Sequence, residues 1–81
     1  MRSISIQAQL PYLDSCHDIA KFIYALDGDA VIGIREGRGK VGPWLIIARF
    51  FLKNDANYDG AMKQLRERID LLGGTGKVKA R

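Results

Sequence analysis

The residues of this chain best suited to nucleophilic chemistry are Cys16 and His17, since a thiol and an imidazole can act together as nucleophile and base. They are the only cysteine and the only histidine among 81 residues. Neighbouring positions on a helix do not face each other, so the two side chains do not form such a couple by themselves. One cysteine and one histidine are also too few for a structural zinc site. We therefore expect no enzymatic activity, no catalytic residue, no metal and no cofactor.

A second pattern, Gly37-Arg-Gly-Lys-Val-Gly42, has the G-x-G-x-x-G spacing of phosphate-binding loops. In a dinucleotide-binding unit this loop opens a helix whose N-terminus meets the pyrophosphate. Here Pro43 and a strand-like run follow, so the context excludes a dinucleotide site. Two interpretations stay open. The segment is either a hairpin loop whose glycines relieve strain, or an anion-contacting loop in which Arg35, Arg38 and Lys40 reach phosphates.

The positive charge of the chain is concentrated in two places. The net charge is +4, and the hydrophobic and charged fractions of 47% and 27% are those of a globular protein. The loop region carries a net +2 and the residues after Gly74 carry +3, which leaves the rest of the chain at −1. Localised basicity of this kind indicates an anionic partner. The C-terminal residues are either a solvated tail, a phosphate-binding arm, or an edge strand protected by its cations.

Periodicity predicts the elements that would position these charges. Strict alternation predicts a strand at 3–10, and β-rich runs predict strands at 30–36 and 44–53. Apolar residues at helical spacing predict helices at 15–26 and 58–72. Ser15 is the expected N-cap of the first helix, Gly28 its expected left-handed stop, and Gly73 ends the second.

The order β-α-β-β-α predicts a single α+β domain over residues 1–74, followed by a basic C-terminal tail at 75–81. One antiparallel-containing sheet would carry both helices on one face. With a short fourth strand at 77–80 this resembles the ferredoxin-like arrangement, and without it the fold is a three-stranded variant. A lone cysteine suits a reducing compartment, and no apolar run approaches membrane-spanning length, so we expect a cytoplasmic chain that does not enter a membrane.

The strand at 44–53 is apolar on both of its faces. Arg49 indicates which face is open, because burying an unpaired guanidinium would be costly. Leu45, Ile47 and Phe51 then share the open face, and they are covered either by a segment of the same chain or by a partner. The open sheet is similar in architecture to RNA-recognition folds, which implies stacking on Phe51 and a phosphate contact from Arg49.

These observations predict a small non-enzymatic binding module that contacts an anionic partner such as nucleic acid. The alternative is a protein-interaction module, either a homodimer or an inhibitor of a larger protein, that uses Leu45, Ile47 and Phe51. The residues expected to bind nucleic acid or another anion are Arg35, Arg38, Lys40, Arg49, Lys53, Lys77, Lys79 and Arg81.

Overall fold

The chain folds into one four-stranded antiparallel sheet with two helices. The computed structural model describes residues 2–37, 42–52 and 57–80. The elements are β1 (Arg2–Leu10), α1 (Leu13–Leu26), β2 (Val31–Glu36), β3 (Trp44–Leu52), α2 (Tyr58–Leu71) and β4 (Thr75–Ala80). No helix in the described ranges is long and apolar enough to cross a membrane.

The strands lie in the order β2-β3-β1-β4, and each neighbouring pair is antiparallel. Together with the β-α-β-β-α-β element order this is a ferredoxin-like fold, so the predicted fold class is confirmed in its four-stranded form. Residues 75–80, which the sequence separates as a tail, form the edge strand β4 against β1. β4 begins two residues before the predicted 77–80.

The core lies between one face of the sheet and the two helices. Alternate residues of the central strands point into it, with Ile4, Ile6 and Leu10 of β1 and Ile46 and Phe50 of β3 buried. α1 packs over β1 and β3, while α2 packs against β4. Each buried aliphatic or aromatic side chain of this kind stabilises the fold by about 1.5–3 kcal/mol relative to leaving it exposed.

The first helix begins earlier than the sequence predicts. Ser15 is not its N-cap but a buried residue of the first turn, because the backbone N–H groups of Ser15 and Cys16 donate to the carbonyl of Tyr12. Tyr12 is the N-cap and provides no side-chain hydrogen bond. Asp14 lies in the first turn, where a negative charge complements the helix dipole. The predicted left-handed Gly28 is also wrong, since Gly73 is the glycine with positive φ among the described residues.

The second helix has a side-chain cap at its start and a glycine at its end. The Asn57 side chain accepts a hydrogen bond from the N–H of Gly60 at 2.9 Å. The N–H of Gly73 bonds to the carbonyl of Asp70, and the left-handed φ of 79° at Gly73 directs the N–H of Gly74 to the carbonyl of Ile69. The following turn leads directly into β4. There a Cβ on Gly76 would lie 2.6 Å from the carbonyl oxygen of Gln7, so glycine permits the close pairing of β4 with β1.

The carboxylate of Asp27 ties the α1–β2 turn to the end of β3. It accepts the backbone N–H of Phe51 at 2.9 Å and that of Asp29 at 3.0 Å. These two hydrogen bonds, the one from Phe51 foremost, hold the pKa of the Asp27 carboxyl below its ordinary value of 3.8. The charged form is therefore favoured by folding.

We expect Asp27→Asn to reduce the acid sensitivity of the fold. A lowered folded-state pKa contributes stability that is complete above pH 3.8 and is lost as the pH falls through the lowered value. The variant should be less stable at neutral pH and should lose less stability on acidification, as measured by urea unfolding at pH 7 and pH 3. Asp70→Asn, at an exposed carboxylate of α2, is the control. If Asp27→Asn lost as much unfolding free energy between pH 7 and pH 3 as the unsubstituted protein, this role of Asp27 would be contradicted.

Candidate functional site

The sheet face that the helices leave uncovered is the candidate site, and we refer to it as the open face. Its side chains come from alternate positions of all four strands, as the registers require. They are Ser3, Ser5, Gln7 and Gln9 of β1, Val31, Gly33 and Arg35 of β2, Leu45, Ile47, Arg49 and Phe51 of β3, and Thr75, Lys77 and Lys79 of β4.

Four cations of the open face lie on three different strands. Arg49 is flanked across the strands by Val31 and Ser5, and Lys79 lies on the far side of Ser5. Lys77 pairs with Gln7, and Arg35 pairs with Leu45. With neighbouring strands about 4.8 Å apart, the cations of β2 and β4 are separated by roughly 14 Å. All four side chains are exposed, and the described positions of the open face include no carboxylate.

An apolar strip runs between these cations along β3. Ile47 and Phe51 keep 39% and 49% of their surface exposed, while Leu45 is half-buried. Val31 extends the strip to the sheet edge with 73% exposure. The buried residues of β3 alternate with these, so the assignment of Arg49 to the open face is confirmed. The large apolar groups are therefore accessible to a partner.

A shallow hollow of about 400 Å³ opens on this face beside Gly33. Gly33 has no side chain to fill the space, and a Cβ built there would meet only the carbonyl of Ile47 at 3.9 Å. The guanidinium-bearing residues Arg35 and Arg49 lie on its two sides. The hollow is lined by Ser5, Val31, Gly33, Arg35, Ile47, Ala48 and Arg49.

The structure brings together half of the cations that the sequence singles out. Arg35, Arg49, Lys77 and Lys79 share the open face, although they are up to 44 positions apart in the chain. The other four, Arg38, Lys40, Lys53 and Arg81, lie outside the described residues.

Sequence reasoning did not single out Ser5, Val31 or Gly33 as site residues. The period-2 pattern of residues 31–36 does place Val31, Gly33 and Arg35 on one side of a strand. Their position beside Arg49 and Ser5 depends on the β2–β3 and β3–β1 registers, which alternation within one strand does not specify.

Cys16 and His17, the two residues best suited to nucleophilic chemistry, lie outside the open face. Cys16 is buried in the core, and burial raises the pKa of its thiol. His17 points to solvent from the next position of α1. Within the described parts of the chain, no group of three histidine, cysteine or acidic side chains could hold a metal ion.

A second hollow, of about 390 Å³, lies between the two helices. Its polar groups are paired with each other, since Arg68 donates to Asp18 at 3.0 Å and lies 5.1 Å above the ring of Phe22. The cations of the open face have no such ion pair among the described residues.

Comparisons with known proteins identify the fold. No family model and no curated protein matches this chain. Among solved structures, a formyltetrahydrofolate deformylase from Pseudomonas putida KT2440 superposes with a TM-score of 0.71 at 17% sequence identity. The match covers 98% of this chain but only 29% of that enzyme. The likeness therefore concerns the ferredoxin-like fold, which this chain shares with part of a larger protein.

Proposed function

We propose that this chain is a small non-enzymatic binding module whose open face holds nucleic acid. The observation that carries the proposal is the set of four exposed cations, Arg35, Arg49, Lys77 and Lys79, on a described face without a carboxylate. Exposed cations gathered on one face without counter-charges attract an anionic partner and steer its approach. Phosphates are the groups that such cations contact in nucleic acids.

The apolar strip favours a nucleic acid over a small anion. Phe51 presents an exposed ring for base stacking, and Ile47 and Val31 add apolar contact area. Gln7, Gln9 and the serines of β1 lie beside the strip and can hydrogen-bond to base edges. A cationic surface that combines stacking rings with backbone contacts is the general solution for single strands, whose bases are free to be splayed onto it.

The test is the salt dependence of binding to a labelled single-stranded oligonucleotide of mixed sequence, measured by fluorescence anisotropy. Four phosphate contacts on a single strand predict a log–log slope of about −2.8, hence about a fiftyfold loss of affinity between 50 and 200 mM salt. The same sequence on an uncharged backbone is the control and should not bind. No binding at 50 mM salt, or binding that salt does not change, would exclude this function.

The second candidate function is protein interaction through Leu45, Ile47 and Phe51, and the exposure of the last two favours it. Two copies stacked face to face would bring eight cations together without a counter-charge, which opposes a homodimer through this face. The protein partner would thus be an acidic surface. An acidic protein that binds while the oligonucleotide does not would favour this alternative.

A further inference from the structure

The two edges of the sheet differ in how well they are protected from other strands. At the β4 edge, the guanidinium of Arg66 donates to the outward carbonyl of Val78 at 2.9 Å. α2 packs against β4, and Lys77 and Lys79 add charge to it. Charged side chains and covering elements of this kind are the means by which edge strands avoid pairing with other chains.

The β2 edge is less protected in the described part of the chain, because no helix packs against it and its charged residues, Arg35 and Glu36, lie only at its end. The N–H of Gly37 bonds to the carbonyl of Pro43, and the N–H of Phe51 points to the same side of β3. Gly37 and Phe51 are both odd-numbered, and the register pairs odd residues of β2 with odd residues of β3. Because ladder hydrogen bonds alternate along antiparallel strands, the odd-numbered residues of β2 are the ones that bond to β3. The backbone groups of Ile32, Ile34 and Glu36 therefore point outward, and no described side chain bonds to them. β2 contains neither proline nor lysine.

The side chains of β2 are also incompletely covered. Neither helix is centred over β2, since α1 packs over β1 and β3 and α2 over β4. Ile32 and Ile34 point toward the helix layer but remain only half-buried. On the opposite face Val31 is 73% exposed. The edge thus presents unpaired backbone groups together with apolar side chains above and below.

We propose that a second copy of this chain pairs antiparallel along β2, on a two-fold axis at Gly33, to form a continuous eight-stranded sheet. Ile32 would then exchange both backbone hydrogen bonds with the partner subunit's Ile34, and the reverse. On the open face Val31 would lie opposite the partner subunit's Arg35. Glycine would face glycine at the axis, where no side chains can clash.

The edge is self-complementary in this register. The facing isoleucines cover each other, and the apolar stem of Arg35 covers the exposed Val31. The two arginines lie at opposite ends of the pair, so no like charges meet within residues 31–35. This pairing extends the open face of each copy instead of covering it. It does not depend on the proposed function, because oligonucleotide binding and self-association are measured separately.

The experiment is sedimentation equilibrium of the whole chain up to about 1 mM, a range that detects even weak strand pairing. The expected result is a reversible shift from the 9.0 kDa mass to twice that value. Val31→Lys places like charges opposite each other at two symmetric positions and should weaken association about tenfold. Val31→Glu faces the same arginines and should strengthen it.

Leu71→Lys is the matched control. Leu71 is 87% exposed on α2, and α2 packs against β4 at the opposite edge of the sheet. It should leave association unchanged. In amide exchange, the N–H groups of Ile32 and Ile34 should gain protection with concentration while that of Val78 does not. A single-chain mass at every concentration overturns the proposal. Equal effects of Val31→Lys and Val31→Glu, or of Val31→Lys and Leu71→Lys, overturn it as well.

Discussion

Replacing Arg49 and Lys79 together by glutamine is expected to weaken oligonucleotide binding about thirtyfold, if each cation contributes about 1 kcal/mol through a phosphate contact. The two residues flank Ser5 on the open face and are separated by two strand spacings. Losing two phosphate contacts should also reduce the magnitude of the salt slope by about 1.4. Fluorescence anisotropy over a salt series measures both quantities.

The matched control is the double replacement of Lys21 and Lys63 by glutamine. Both lysines are exposed on the helices, so the net charge changes by the same amount while the open face is untouched. Lys63 forms a 4.0 Å ion pair with Glu67. Both side chains are exposed, so this ion pair contributes little to stability. Equal losses of affinity in the two double variants would mean that net charge, and not the open face, attracts the oligonucleotide.

Phe50→Ala is expected to remove a large part of the folding free energy. Phe50 is fully buried, pairs with Ile4 across the centre of the sheet, and is the largest of the fully buried side chains. Truncation of a buried phenylalanine costs about 3–5 kcal/mol. A domain of this size has a free energy of unfolding of roughly 4–12 kcal/mol. Urea unfolding followed by circular dichroism measures the loss.

Phe51→Ala is the natural comparison, because the neighbouring ring lies on the other face of the same strand and is half-exposed. We expect it to cost less than about 1 kcal/mol of stability, as surface substitutions generally do. It should instead reduce single-strand affinity by about 2 kcal/mol, or roughly thirtyfold, through lost stacking. Equal destabilisation by the two substitutions would contradict the two-faced assignment of β3. Unchanged affinity in Phe51→Ala would remove the ring from the proposed site.

The order of the elements and the faces of β1 and β3 followed from the sequence with little error. Strict alternation in residues 3–10 requires one buried and one solvated face, and β1 has both. The cost of burying Arg49 correctly decided which face of β3 is open. The predicted range of α2 ends within one residue of the observed helix. Its apolar stripe and the glycine after it are signals contained in the helix sequence itself and in the residues next to it.

The errors arose where several local signals compete. Ser15 followed by Asp18 resembles a capping pattern, yet the chain turns into α1 two residues earlier and buries Ser15 against the core. Gly28 follows the last turn of α1, but the helix ends at Asp27, which is the C-cap and has an extended conformation. Hydrogen bonds to that carboxylate from residues 29 and 51 stabilise the turn. Residue 51 is distant in the chain, so its contribution is not visible locally.

The sequence by itself determined the fold class, the inward and outward faces of β1 and β3, and the presence of excess charge near residues 35–40 and at the C-terminus. Only the tertiary structure decided that Lys77 and Lys79 belong to a strand beside β1 and share one surface with Arg35 and Arg49. It also decided that β4 is the protected edge and β2 the unprotected one. The reason is physical: alternation along a strand is local, whereas register and strand order depend on how distant segments pack around a common core.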